Sequence, residues 1–223
     1  MTRFLVIDGS FPTATVVASD GERRALRRFG PQSSHAQRMV DACLEVLGEL
    51  DLAPTALERI GVGQGPGSFT GLRVALATAR GFSDGAAVPL VGFSTYAALP
   101  IAQGGGRQAL VFDARKGLAF FGLRQGEQVV LEARPLPIAE VVAELRPGDV
   151  LYGNAPDRYP ELLRAEVSRT GGPYGIDIER ALSLVKAAVD DGQTVLPTYK
   201  EKSAVELKMG SPNIGRALDA DDL

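Results

Sequence analysis

Two aspartates sit where chemistry is often placed in an α/β chain. Asp8 ends the apolar run Phe4–Ile7 and opens Asp8-Gly9-Ser10; Asp113 ends Gln108–Phe112 and opens Asp113-Ala114-Arg115. A carboxylate at the end of a buried strand, followed by a tight turn, can hold Mg²⁺ through water beside a phosphate. The same residue can instead cap its own turn. Asp8 is open to both readings. Asp113 and Arg115 either line a cleft or pair with each other. No resident metal is expected, because His35 is the one histidine and Cys43 the one cysteine. That excludes a Cys/His zinc site and any disulfide framework.

The longest unusual stretch is Arg59 to Ala87. Ile60 and Val62 lead in as a strand. Gly61, Gly63, Gly65 and Gly67 keep side chains off the backbone, and Pro66 fixes φ in the turn. Ser68 or Thr70 can then cap a helix over about Leu72–Phe82, at roughly 1 kcal/mol for such a cap. Ala75, Ala77, Ala79 and Gly81 give that helix a small-residue surface that another helix can approach closely. Catalytic readings of the loop fail. A phosphate-cradling P-loop needs Gly-Lys-Ser/Thr, and no lysine lies between Glu58 and Lys116. A dinucleotide fingerprint fails at Pro66 or Thr70, where its third glycine belongs. A nucleophile elbow at Ser68 needs glycine where Pro66 stands. The loop, Gly65-Pro66-Gly67-Ser68-Phe69-Thr70-Gly71, therefore reads as shaped backbone.

The elements that must position these residues follow from hydrophobic period. Strands are expected at Phe4–Ile7, Ala14–Ser19 and Arg23–Phe29, with Asp20-Gly21 as a hairpin turn. Ala36, Met39, Val40, Cys43, Leu47 and Leu50 recur at helical spacing, which predicts an amphipathic helix over about Ser34–Leu50 with Cys43 on its apolar face. Further strands are expected at Ile60–Gly63 and Val88–Val91, and a short helix at Thr95–Ile101. After Gln103-Gly104-Gly105-Gly106 the plan starts again: strands at Gln108–Phe112, Leu118–Leu123 and Gln128–Glu132, a helix at Ile138–Leu145, a strand at Val150–Tyr152 and a helix at Ile178–Val189. Three meandering strands, a helix and a parallel strand make a ribonuclease-H-like unit. Two such units across a cleft are the plan of the actin-like and sugar-kinase ATPase superfamily, an α/β fold. The boundaries expected are residues 1–103, 104–200 and a weakly ordered tail over 201–223.

The chain has 223 residues, 45% apolar and 23% charged, with net charge −3. That suffices for a real core and lacks the basic excess of a chain that holds nucleic acid alone. Arg23, Arg24, Arg27 and Arg28 form one basic cluster, read as a solvated strand face. No apolar run nears the roughly 18 residues of a membrane span, and no charged-then-apolar leader opens the chain, so cytoplasm is the expectation.

Gly65-Pro66-Gly67-Ser68-Phe69-Thr70-Gly71-Leu72-Arg73, together with Asp8, the Ser34-His35 helix start and Asp113-Ala114-Arg115, resembles the TsaB family, also called YeaZ, over most of residues 1–200. The resemblance implies a non-catalytic subunit of the machinery that makes N6-threonylcarbamoyladenosine beside the anticodon of tRNAs reading codons that begin with A. It implies TsaD as the partner that carries the metal and transfers the threonylcarbamoyl group, with the ATPase TsaE joining the pair. It also implies a homodimer when the chain is alone, tRNA contact only through the complex, and no membrane. No cofactor is required, although ATP or ADP and Mg²⁺ could occupy the cleft or the partner interface. A TsaD-type site needs two histidines four residues apart; here Met39 lies four after His35. The interface implied is the first two helices, with Ser34, His35, Met39, Cys43, Leu72, Arg73, Leu76, Ala77 and Arg80 as candidate contacts. Such an interface would bury about 1,600 Å². The residues of a vestigial nucleotide cleft would be Asp8, Gly9, Ser10, Asp113 and Arg115. The family usually has Asp-Thr-Ser where this chain has Asp8-Gly9-Ser10. Pro197-Thr198-Tyr199 keeps a family pattern near the end, but Lys200-Glu201 replaces its apolar-then-arginine continuation.

Two other functions compete. An independent ATPase or small-molecule kinase of the same fold would explain the duplicated aspartates, with Gly171-Gly172 as its only late glycine pair. A ribonuclease-H-type nuclease needs several carboxylates for two metals; Asp8 and Glu45 are candidates, but Gln64 stands where a third is wanted.

Overall fold

In the computed structural model the described residues are 2–30, 35–163, 166–172, 174–188 and 195–196, with side chains of the first helix described from Arg38 onward. The first unit contains β1 (Phe4–Asp8), β2 (Ala14–Ser19), β3 (Arg24–Phe29), α1 (His35–Glu49), β4 (Arg59–Gly63), α2 (Phe69–Ala86) and β5 (Leu90–Phe93). Its sheet runs β3-β2-β1-β4-β5. β1–β2 and β2–β3 are antiparallel, whereas β4 and β5 join in parallel. The second unit contains β6 (Arg107–Arg115), β7 (Leu118–Gln125), β8 (Gln128–Pro137), α3 (Ile138–Glu144), β9 (Val150–Tyr152), α4 (Ala155–Arg158), β10 (Ser168–Arg169) and α5 (Ile178–Ala187). Its sheet, β8-β7-β6-β9-β10, repeats the order of the first. The chain thus has two ribonuclease-H-like subdomains of the actin-like superfamily plan.

β1 explains the layering. All five of its residues are buried, so both faces of the sheet must be covered. Leu5 and Ile7 point to one side, where Met39, Cys43, Val46 and Leu47 of α1 and Ala75 and Ala79 of α2 cover them. Phe4 and Val6 point to the other, against Ala181, Leu182 and Val185 of α5. Helix α5, although it follows the second sheet in sequence, therefore packs on the first. Arg59 of β4 fastens it there, donating to the carbonyls of Val185 (3.0 Å) and Ala188 (2.6 Å) at its C-terminus.

Several expected elements differ in extent. α2 has 18 residues, starting at Phe69 because Ser68 is the cap: its Oγ accepts the Gly71 N–H at 3.3 Å. The helix expected at Thr95–Ile101 is a pair of tight turns, with Ala98 N–H donating to Thr95 O at 3.1 Å and Leu99 N–H to Tyr96 O at 3.3 Å. Pro100 ends it before a full helix is built. β5 starts at Leu90, two residues later than expected, and β8 runs on to Pro137. α4 and β10 are short elements without a periodic signal in the sequence. The expected tail over 201–223 and Pro197-Thr198-Tyr199 lie outside the described residues.

Candidate functional site

Asp8 closes β1 with 1% of its surface exposed. Its Oδ1 accepts the Ser10 N–H at 3.1 Å, and its Oδ2 accepts the hydroxyls of Ser10 (3.0 Å) and Thr95 (2.6 Å). Thr95 Oγ1 also accepts the Gly65 N–H at 3.1 Å, which ties the β5 turn to the glycine-rich loop. A Cβ on Gly63 would sit 1.9 Å from Asp8 Oδ2, so β4 must present glycine to the carboxyl. Burial raises the pKa of Asp8, and the hydrogen bonds from Thr95 and Ser10 oppose that rise. Beside it the Asp8-Gly9-Ser10 turn lies directly on α2: a Cβ on Gly71 would come within 2.0 Å of Gly9 O, and Ser68 N–H donates to Ser10 O at 2.7 Å.

Phe11 then crosses to the second subdomain. Its ring stacks on Phe112 of β6 with centroids 3.7 Å apart and planes at 16°. Tyr96, Tyr152 and Tyr174 meet this pair edge-on. The space between the two aspartate-bearing strand ends is thus an aromatic joint. Two arginines fasten its rim. Arg124, 5% exposed, donates to Leu99 O (3.1 Å), to Gln108 Oε1 (2.8 Å) and to Pro100 O. Burial, helped by the Arg180 charge, pulls its pKa down to about 10. Arg180 of α5 donates to Ala97 O and holds Glu127 in a two-bond pair, one at 2.7 Å. A nucleotide's phosphates and their Mg²⁺ need an open carboxylate and free N–H groups. Here the carboxylate is walled in, the Ser10 and Ser68 N–H groups are taken, and an aromatic stack stands between the lobes. At Asp8 this packing leaves no open carboxylate. Among the described residues no cluster of three His, Cys, Asp or Glu side chains could hold a metal.

Asp113 is not paired with the Arg115 side chain. Its Oδ1 accepts the Arg115 backbone N–H at 2.7 Å, and its Oδ2 faces Arg158 at 3.5 Å. The basic residues of β3 and of the turn before it are engaged within the fold: Arg27 with Glu45 (2.8 Å) and Glu49 (2.9 Å), Arg23 with Asp20, Arg24 with Glu179, and Arg28 with Ile176 O. Glu45, also paired with Arg38, has its carboxyl held down to about 2 by those two arginines. It is a strand-to-helix brace and not a nuclease carboxylate.

The outer surface of α1 and α2 is an apolar feature that the core does not use. Val40 and Leu44, one turn apart on α1, are 42% and 54% exposed. Facing Val40 across a groove of about 500 Å³ are Val74, Ala77, Thr78, Gly81 and Phe82 of α2. At the N-terminus of α2, Phe69 is 43% exposed with the Arg73 guanidinium 4.9 Å above its ring. The small residues expected on one face are divided: Ala75 and Ala79 are buried against the sheet, while Ala77 and Gly81 are exposed in the groove. Two-residue spacing turns a helix by about 200°, which is why the four cannot share a side.

Of the expected interface residues, Met39, Cys43 and Leu72 are fully buried and face the core, so they cannot touch a partner. Burial also pushes the Cys43 thiol up to about 12. Arg73, Leu76 and Ala77 remain available at the surface, and Arg80 donates to Val195 O at 3.2 Å. Ser34 lies outside the described residues, and His35 begins α1. Val40 and Leu44 are exposed beyond the expected contacts, and half-buried Phe82 lies across the groove from Val40. Val40 is counted by spacing with the apolar stripe, but it and Leu44, four residues on, face outward.

Comparison with known proteins fits this geometry. Residues 31–154 match the family model described as "TsaD: tRNA N6-adenosine threonylcarbamoyltransferase". The chain is 27% identical over 216 residues to the tRNA threonylcarbamoyladenosine biosynthesis protein TsaB of Escherichia coli, covering 89% of this chain and 92% of that one. The chain belongs to the TsaB family. Bacillus subtilis TsaB is 33% identical over 106 residues, 45% of each chain. Among solved structures, YeaZ from Pseudomonas aeruginosa superposes with a TM-score of 0.71 at 25% identity, over 89% of this chain and all of that one. Membership ties the chain to threonylcarbamoyladenosine formation in tRNA. No helix among the described residues is long and apolar enough to cross a membrane.

Proposed function

We propose that this TsaB-family chain is a non-catalytic subunit that docks the outer face of α1 and α2 onto a TsaD-type transferase. The observation that carries this reading is the groove between Val40 and Phe82: two adjacent helices expose large apolar side chains around exposed small ones. A partner helix pair can lie closely there, with Ala77 and Gly81 at the points of nearest approach. Soluble monomers rarely leave such a surface uncovered. In this reading the chain holds the transferase in its working shape while the partner supplies metal and chemistry. The transferase then moves threonylcarbamoyl from threonylcarbamoyl-AMP to N6 of the adenosine 3′ of the anticodon, with TsaE as the third member. Alone, the same face pairs two copies of this chain. The packed joint at Asp8 and Phe11 supports the absence of an ATPase cycle in this subunit.

Reconstitution tests the role. TsaD and TsaE from the same organism, supplied with ATP, tRNA and threonylcarbamoyl-AMP, are expected to modify tRNA efficiently only when this chain is added. This chain alone is expected to yield none. Modified tRNA made by this chain alone would overturn the non-catalytic assignment.

A further inference from the structure

The β6–β7 hairpin ends in a tip that the fold does not use for itself. Arg115, Lys116 and Gly117 are consecutive, exposed and left-handed, with φ of 66°, 52° and 78°. The last suits glycine, but the first two place an arginine and a lysine in backbone that L-residues avoid. A bulge between Asp113 and Arg115 breaks the ladder just below them. The tip is nevertheless held firmly. Asp113 Oδ1 accepts the Arg115 N–H at 2.7 Å and the Tyr159 hydroxyl at 3.4 Å. Gly117 N–H donates to that hydroxyl at 3.3 Å, and Gly117 O accepts the Ile138 N–H at 3.0 Å. Asn154 Oδ1 accepts the Asp113 N–H at 3.0 Å from the other side. Arg158, exposed and stacked beside Tyr159, adds a third cation to the same cluster.

Most other arginines are spent inside the fold; Arg3, Arg73, Arg134 and Arg146 also form no ion pair among the described residues, but only the tip sets two adjacent cations on fixed left-handed backbone. Arg23, Arg24, Arg27, Arg38, Arg107, Arg169 and Arg180 all hold carboxylates, and Arg28, Arg59, Arg80 and Arg124 cap carbonyls. Arg115 and Lys116 have no carboxylate within ion-pair distance among the described residues. Asp113, the one acid in the cluster, spends its Oδ1 on holding the tip. Rigid, adjacent and outward-facing cations suit a ligand with repeated negative charge at fixed spacing. Resting on the reading above, that this chain works in a complex acting on tRNA, we propose that the Arg115-Lys116 tip with Arg158 contacts the phosphate backbone of the RNA held by the complex. The net charge of −3 makes the contact a supplement to the partner's own RNA binding and too weak to hold RNA unaided.

The test uses the assembled complex of this chain with TsaD and a tRNA transcript, titrated by fluorescence anisotropy over a range of salt. The double variant Arg115→Gln/Lys116→Gln is compared with wild type, and Arg115→Lys/Lys116→Arg serves as the charge-keeping control. Loss of two phosphate contacts is expected to weaken tRNA binding about tenfold at low salt. The slope of log K against log salt should become shallower by roughly 1.5, near 0.7–0.9 for each phosphate released. The control should keep wild-type behaviour, and Arg158→Gln should add a further, smaller loss. Complex formation, followed separately by light scattering, should be unchanged. Unaltered tRNA affinity and salt slope in the double variant would overturn the proposal. Loss of the complex itself would instead make the tip a protein contact and overturn it too. Failure of the wild-type chain to join TsaD at all is a different result and bears on the docking reading.

Discussion

Ala77 and Ala79 stand two residues apart on α2 and give the docking face an internal control. Ala79 is fully buried against the sheet, whereas Ala77 is exposed in the groove beside Val74, Thr78 and Gly81. Ala77→Glu puts a carboxylate where a partner helix is expected to pack. In the free chain it stays in water, so stability should change by no more than about 0.5 kcal/mol, as for other surface substitutions. For a chain of this size that is a Tm shift of roughly 1–2 °C. In the complex the charge is buried without a partner, at a cost of about 2 kcal/mol or more. At 1.4 kcal/mol per tenfold, that is roughly a 30-fold loss of affinity. Ala79→Leu should do the reverse. Extra methylenes in a filled space cost about 1–3 kcal/mol, so Tm should fall by roughly 2–12 °C while binding survives well below that temperature. Differential scanning calorimetry and an affinity titration against TsaD read both quantities. Equal destabilisation by the two substitutions, or full-affinity binding by Ala77→Glu, would refute the assignment of this face.

Three further outcomes follow from the packing. Phe11→Ala removes one ring of the interlobe stack and should cost about 3–5 kcal/mol, a Tm drop of roughly 6–20 °C by calorimetry, with TsaD association intact at low temperature; a drop under about 2 °C would show that the ring holds nothing. Glu45 is held down from 4.5 to about 2 by Arg38 and then Arg27, so its contribution to stability is complete above 4.5 and fades as pH falls toward 2. Glu45→Gln should therefore lower Tm slightly at neutral pH and converge with wild type near pH 2; a constant offset would contradict the linkage. Asp8 has the opposite sign, because burial raises its pKa above 3.8. Its contribution is present below that value and is lost as pH rises through the raised one, so the Tm of Asp8→Asn relative to wild type should climb as pH is increased above about 4. Parallel profiles would show that the carboxyl does not resist ionisation.

The layered fold was legible because its signals were local and periodic. β1, β2, β4 and β6 read as apolar runs, α1 and α5 as helical stripes, and the repeated strand order followed from their sequence. The turn at Thr95–Ala98 reads as a helix because Tyr96 and Leu99 stand three apart, as on one helical face; tertiary demands on the Thr95 hydroxyl and on the carbonyls around Pro100 decide the backbone instead. Glycine in the loop was expected to clear space, but not what fills it. Only the folded chain shows the Asp8 carboxyl against Gly63, or Gly71 against Gly9. The aromatic joint was invisible for the same reason, since Phe11 and Phe112 are a hundred residues apart and neither belongs to a motif. On the docking face the helices were right and several residues were not. Met39, Cys43 and Leu72 are the inward stripe of amphipathic helices, which hydrophobicity alone cannot separate from an outward one. The exposure of Val40 and Leu44 in the fold separates the two, and Val40 by spacing alone falls in with the inward stripe.

The central claim is tested most directly by size-exclusion chromatography with light scattering, on this chain alone and mixed with TsaD from the same organism. A homodimer that gives way to a one-to-one complex on mixing is expected, since both assemblies use the α1–α2 face. Failure to associate at micromolar concentration, with or without TsaE and ATP, would contradict it, as would a TsaD complex that leaves the homodimer intact.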